Sequence, residues 1–152
     1  MTEIHDTHAL SNATLARFEG SESEVVRAAS DWRRDGFTVR TLRGRKMREL
    51  HSLFDEFSAA LQFPYYFGEN WAAFQECISD MEWLPPAAGY VLLITNAEEV
   101  LADGSELDLQ IFWRTLQDAA STYALPVDDG ESWDRGPVSF RVVLQMRDSR
   151  SE

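Results

Sequence analysis

Apolar residues return at helical spacing in four stretches of this chain and fall into short β-type runs in three. Val25, Ala29 and Trp32 share one face of a short helix over 23–34, with Gly36 as its stop. Phe37–Leu42 is short and β-rich, and reads as the first central strand. Met47, Leu50, Phe54, Phe57 and Leu61 recur at the period of a helix that must end before Pro64. Trp71, Phe74, Ile78 and Met81 make a third stripe, and Leu109, Phe112, Leu116, Ala119 and Tyr123 a fourth, closed by Pro126. Tyr90–Thr95 is almost continuously apolar, as in a strand covered on both faces, and Val138–Met146 reads as the last strand. Strands alternating with helices predict an α/β layer around a short, mostly parallel sheet.

The chain is organised around residues 63–80. Pro64 and Gly68 interrupt helix, and Asn70 is a good N-cap because its side-chain oxygen accepts a free N–H of the first turn. The polar face of the helix that follows carries Ala72, Gln75, Glu76 and Asp80. Glu76 and Asp80 are like charges one turn apart, which costs an isolated helix roughly 0.2–0.5 kcal/mol. Negative charge is therefore set beside a Tyr-Tyr-Phe-Gly loop where helix stability alone would favour a lysine.

Composition sharpens this reading. The net charge of −12 is uneven: Glu49–Asp134 holds seventeen acids and one base, Arg114, whereas Met1–Arg48 holds nine bases and seven acids. Such a balance argues against binding the phosphate backbone of nucleic acid and suits a basic protein partner. Arg33–Arg48 contains seven bases but no aromatic interleaving, so it reads as a solvated or self-complementary rim. No apolar run is long enough to span a membrane, no secretory signal is visible, and the single cysteine, Cys77, fits a reducing, cytoplasmic setting as a small buried hydrophobe.

Chemistry is sparse. There is no phosphate loop, no dinucleotide fingerprint, no nucleophile elbow, no H-E-x-x-H and no paired C-x-x-C. His5, Asp6 and His8 have no supporting metal ligands, and His51 with Asp55 has no nucleophile placed beside it. The expectation is a binding module without catalytic residues, metal, cofactor or small-molecule substrate.

The run Tyr66-Phe67-Gly68-Glu69-Asn70-Trp71, with its preceding Pro64 and the helix ending near Trp83 and Pro85, resembles the barstar family of ribonuclease inhibitors. The order of elements from about Phe37 to Met146 agrees as well. The resemblance implies a small three-stranded parallel sheet packed by helices, and a motif helix and loop that plug a ribonuclease active site. Carboxylates there stand in for RNA phosphate. It implies partner contacts at Tyr66, Gly68, Asn70, Trp71, Gln75, Glu76 and Asp80, with Glu76 at the position of the family's most important helix aspartate. Asp118 falls within a few residues of a later family glutamate. Three positions depart: Ala72 replaces an interface aspartate, Gln75 an interface tryptophan, and Glu76 is one methylene longer than aspartate.

The expected organisation is a flexible tail over 1–20, a single barstar-like domain over 21–147 whose first part, 21–36, is an added helix, and a C-terminal tail over 148–152. The loop 126–137 reads as an insertion. The expected function is inhibition of, or immunity to, a basic secreted or toxin-type ribonuclease in a bacterial cytoplasm. The alternative is an acidic adaptor that uses the same face on a basic protein that is not a nuclease.

Overall fold

All six side chains of the strand Tyr90–Thr95 are buried, as its unbroken apolar run demands. The computed structural model describes residues 2–4, 15–84, 88–132 and 134–147. Outside them lie the His5, Asp6 and His8 spacing, residues 85–87 of the Pro-Pro connection, Trp133 and the expected tail 148–152. In chain order the elements are β1 (Thr2–Ile4), β2 (Leu15–Glu19), α1 (Glu22–Arg34), β3 (Thr38–Arg43), α2 (Leu50–Leu61), α3 (Trp71–Asp80), β4 (Tyr90–Thr95), α4 (Glu106–Ala124) and β5 (Phe140–Met146). Short 3-10 turns at Gly44–Lys46 and Ala97–Glu99 follow β3 and β4.

The strands form one sheet in the order β1-β2-β5-β4-β3, and every pairing is parallel. Alternation along each strand divides the core in two. Leu42, Leu92, Ile94, Val142 and Leu144 face α2, α3 and α4, meeting Phe54, Phe57, Phe74, Ile78, Phe112 and Leu116. Val39, Val91, Leu93, Val143, Ala16 and Phe18 face α1, meeting Val25, Ala28, Ala29 and Trp32. Helices thus cover both faces, the arrangement that an all-parallel sheet requires.

The α/β class with a parallel sheet is as expected, but the sheet is wider than three strands. Four strands have five or more residues, and the three-residue β1 lies outside them. The added strands come from the part expected to be a tail: Leu15–Glu19 pairs residue for residue with Val142–Met146. Nor is β3 central. It closes one edge of the sheet, and β4 and β5 are interior.

Local chemistry sets the helix ends. Ser21 caps α1 by accepting the Glu24 N–H at 3.1 Å, and Gly36, at φ +97°, turns the chain out of it. The basic stretch is self-complementary. Arg43 clasps Glu56 of α2, Arg48 bridges Glu99 and Asp103, and Arg45 lies 4.0 Å from Glu22. Among the described residues no helix is long and apolar enough to cross a membrane.

Candidate functional site

The loop before α3 is built on two phenylalanines four residues apart. Phe63 is buried and Phe67 half-buried, and their rings meet edge-on at 5.1 Å; Phe67 also meets Phe54 of α2 at 5.6 Å. A turn in which the Phe67 N–H donates to the Pro64 carbonyl at 2.9 Å lifts the residues between them away from the core. Tyr65 is therefore fully exposed and Tyr66 is 73% exposed, with their rings in mutual edge contact at 5.7 Å. Two tyrosines held in water by a packed pair beneath them are an apolar surface with hydroxyl tips.

The next residues turn the chain into the helix. A Cβ at Gly68 would meet the side-chain nitrogen of Asn70 at 3.1 Å, so the tight approach favours glycine. Glu69 takes a left-handed conformation at φ +48°. Asn70 caps α3 as expected: its Oδ1 accepts the Ala73 N–H at 2.9 Å, and its Nδ2 donates to the Gly68 carbonyl at 3.1 Å.

Trp71 is half-buried and packs edge-on against Phe54 and Phe74 at 5.2 and 5.5 Å. Its indole N–H donates to Asp108 on the first turn of α4 at 3.0 Å. Gln75, Glu76 and Asp80, with Ala72, are exposed along the outer face of the same helix. Neither Glu76 nor Asp80 has a cationic partner among the described residues. Burial pushes the Cys77 thiol up, and the charges of Glu76 and Asp80 push it further. Tyr66, Gly68, Asn70, Trp71, Gln75, Glu76 and Asp80 therefore occupy one loop and one helix, with Trp71 half-buried and the rest exposed.

Sequence reasoning passed over two neighbours. Tyr65 is more exposed than Tyr66, although its place in the aromatic pair was the available signal. Asp108 stands 37 residues from its partner Trp71, and no local pattern marks it.

Two acidic groups of α2 and its start are engaged elsewhere. Glu56 is 9% exposed and accepts from the Arg43 backbone N–H at 2.8 Å and from its guanidinium at 2.7 and 2.8 Å. That clasp holds its carboxyl below the usual range despite the opposing effect of burial. His51 lies 3.4 Å from Glu49. Among the described residues no group of three or more His, Cys, Asp or Glu is arranged to hold a metal ion. The arrangement is an exposed aromatic loop beside exposed carboxylates, suited to binding a cationic surface.

A search of curated proteins gave no match. Among family models, the one described as Barstar (barnase inhibitor) matches residues 37–145. The match begins where α1 has ended and takes in β3, β4 and β5, so three strands lie inside it and β1, β2 and α1 precede it. With the matched span covering well over half of the 152 residues, the chain belongs to the barstar family, a family of ribonuclease inhibitors.

Proposed function

We propose that this protein binds a basic bacterial ribonuclease and blocks its active site with the outer face of α3 and the loop before it. The observation that carries the reading is the pairing of Tyr66, largely exposed, with Glu76 and Asp80, exposed and without cationic partners among the described residues, on the element that bears the family motif. Glu76 and Asp80 stand in for RNA phosphates and meet the arginine, lysine and histidine side chains of the enzyme. Gly68 and Asn70 shape the loop and the helix start, and Gln75 lies against the partner beside Glu76. The acidic field speeds encounter, a behaviour for which barnase and barstar are themselves the standard example. The protein acts without catalysis, in the cytoplasm, as immunity against a nuclease made by the cell or delivered by a neighbour. Its working unit is the barstar-like domain, to which β1, β2 and α1 are added.

Ala72 and Gln75 favour a second reading, because they stand where the resemblance expects an interface aspartate and tryptophan. With those groups gone the same face serves an adaptor on a basic protein that is not a nuclease. One experiment separates the readings. Wild-type protein and Glu76→Arg are used to capture partners from the source cell's lysate and secreted fraction, followed by mass identification and a ribonuclease assay. A basic ribonuclease held and inhibited by the wild type alone is the expected result. A non-nuclease held the same way selects the adaptor, and equal capture by both proteins removes α3 as the working face.

A further inference from the structure

Helix α3 ends on a cleft. Its last residues, the end of α4 and, beyond it, Val127, Arg135 and Val138 line about 480 Å³. The floor is apolar, made by the buried rings of Tyr90 and Tyr123 with Val127 and Val138. Both hydroxyls are committed, one to the end of α3 and the other to the residues that follow it. Tyr123 donates to the Ile78 carbonyl at 2.8 Å, and Tyr90 is bonded to the Met81 carbonyl at 3.1 Å and to that of Leu84. Asp80 and Glu82 stand exposed at the rim, with no cationic partner among the described residues.

The opposite wall is Arg135, whose guanidinium is held in place by the fold and whose single positive charge stands against the two carboxylates of the rim. One guanidinium nitrogen donates to the carbonyls of Tyr123, Leu125 and Gly136 at 3.4, 3.3 and 3.1 Å, and the group lies 5.3 Å from the centre of the Tyr123 ring. The loop that carries it is held in shape. Val127 and Arg135 exchange backbone hydrogen bonds of 2.8 and 2.9 Å, and the Asp134 carboxylate accepts the N–H groups of Asp129, Gly130 and Glu131.

We infer that this cleft takes one basic side chain, arginine or lysine, from the protein that docks on α3. The apolar floor suits the methylene stem of such a residue, which buries its chain and keeps its charged head at the edge. The carboxylates of Asp80 and Glu82 and the negative end of the α3 dipole suit that head. Asp80 lies one turn beyond Glu76 on the same face, so a partner lying along α3 reaches the cleft without leaving it. A wall fixed by the loop's own hydrogen bonds removes part of the ordering cost of binding. The inference takes its partner from the function proposed above, but the chemistry of the cleft is open to its own test.

The full-length protein is titrated with Nα-acetyl-arginine amide and, separately, with the neutral isostere Nα-acetyl-citrulline amide. Binding is read from the ring resonances of Tyr90 and Tyr123. The expected result is a saturable shift with the arginine compound only. Its dissociation constant rises roughly fivefold in Asp80→Asn and again in Glu82→Gln, the upper end for an exposed ion pair. Equal response to citrulline, or tyrosine rings that ignore both compounds, overturns the assignment. If Glu76→Arg abolishes ribonuclease capture while the rings ignore arginine, the cleft assignment falls and the function stands. If the cleft binds arginine and capture is unchanged in Glu76→Arg, the cleft stands and the function falls.

Discussion

The indole N–H of Trp71 donates to the Asp108 carboxylate at 3.0 Å, and the Asp108 backbone N–H is in turn held by Ser105 Oγ at 3.1 Å. The first turns of α3 and α4 are therefore tied side by side, and the ring beneath the tie reaches Phe112 of α4 at 6.5 Å. Trp71 is a joint between the motif loop and the helix layer, whatever else touches its exposed part. Trp71→Ala should lower unfolding free energy by about 3 kcal/mol, the low end for a large aromatic because the ring is only half-buried. Trp71→Phe keeps most of the packing and should lose about 1 kcal/mol with the hydrogen bond. Urea unfolding checks both, and wild-type stability in the two variants would leave Trp71 no structural role.

Asn70 has a structural duty that can be separated from any contact it makes. Replacing it with alanine removes the cap on the Ala73 N–H and should cost about 1 kcal/mol, whereas glycine should cost only a few tenths. Asn70→Gly should therefore fold nearly as well as the wild type. Its affinity for the captured partner then reports on the side chain alone. Unchanged affinity would confine Asn70 to capping, and a tenfold loss would make it a contact.

The elements that the sequence made legible are those whose signal is local. The stripe from Trp71 to Met81, the Asn70 cap and the unbroken Tyr90–Thr95 run each follow from neighbours within a few turns, and each stands where the pattern placed it. Sheet order does not follow from such signals. Leu15–Glu19 has only five residues with an arginine in the middle, and it becomes a strand by pairing with Val142–Met146 at the far end of the chain. Phe37–Leu42 reads as central because it is short and β-rich, yet its place at the edge is decided by β4 and β5. The exposed face of α3 was legible from helical spacing, whereas the Trp71–Asp108 tie and the cleft behind Asp80 depend on how α3 meets α4 and the loop 126–137.

The Arg43–Glu56 clasp makes stability depend on acid. The folded state holds the Glu56 carboxyl below its ordinary value of 4.5, chiefly through the hydrogen bond from the Arg43 side chain. The stabilisation is therefore fully present above the unfolded value and is lost as pH falls through the lowered folded value. Glu56→Gln should lower stability by about 2 kcal/mol at neutral pH, less than a fully buried pair because Arg43 is half exposed. The gap to wild type should close as pH falls below 4.5 and on through the lowered folded value, since protonated Glu56 resembles glutamine. Urea midpoints at a series of pH values check this; a gap that stays constant down to pH 3 would mean that the clasp contributes nothing through charge.

Trp32 tests whether the segment before the family match is part of the folded unit. It is wholly buried in α1 and packs with Val25, Ala28 and Ala29 onto the sheet face made by Val39, Val91, Leu93 and Val143. Those four sheet residues lie within the matched span, and the helix that covers them does not. If α1 were a dispensable appendage, the sheet face would be stable bare and Trp32→Ala would be nearly neutral. A bare face of three valines and a leucine on an all-parallel sheet is instead an apolar surface in water, and its exposure favours association. Trp32→Ala should therefore cost about 3–5 kcal/mol, as for other buried large aromatics, in a single transition that also unfolds α3. Urea unfolding followed both by far-ultraviolet circular dichroism and by the ring resonances of Tyr90 decides it. Coincident, destabilised transitions make α1 integral to the domain that presents the motif helix, whereas a wild-type transition at Tyr90 would make it an independent addition.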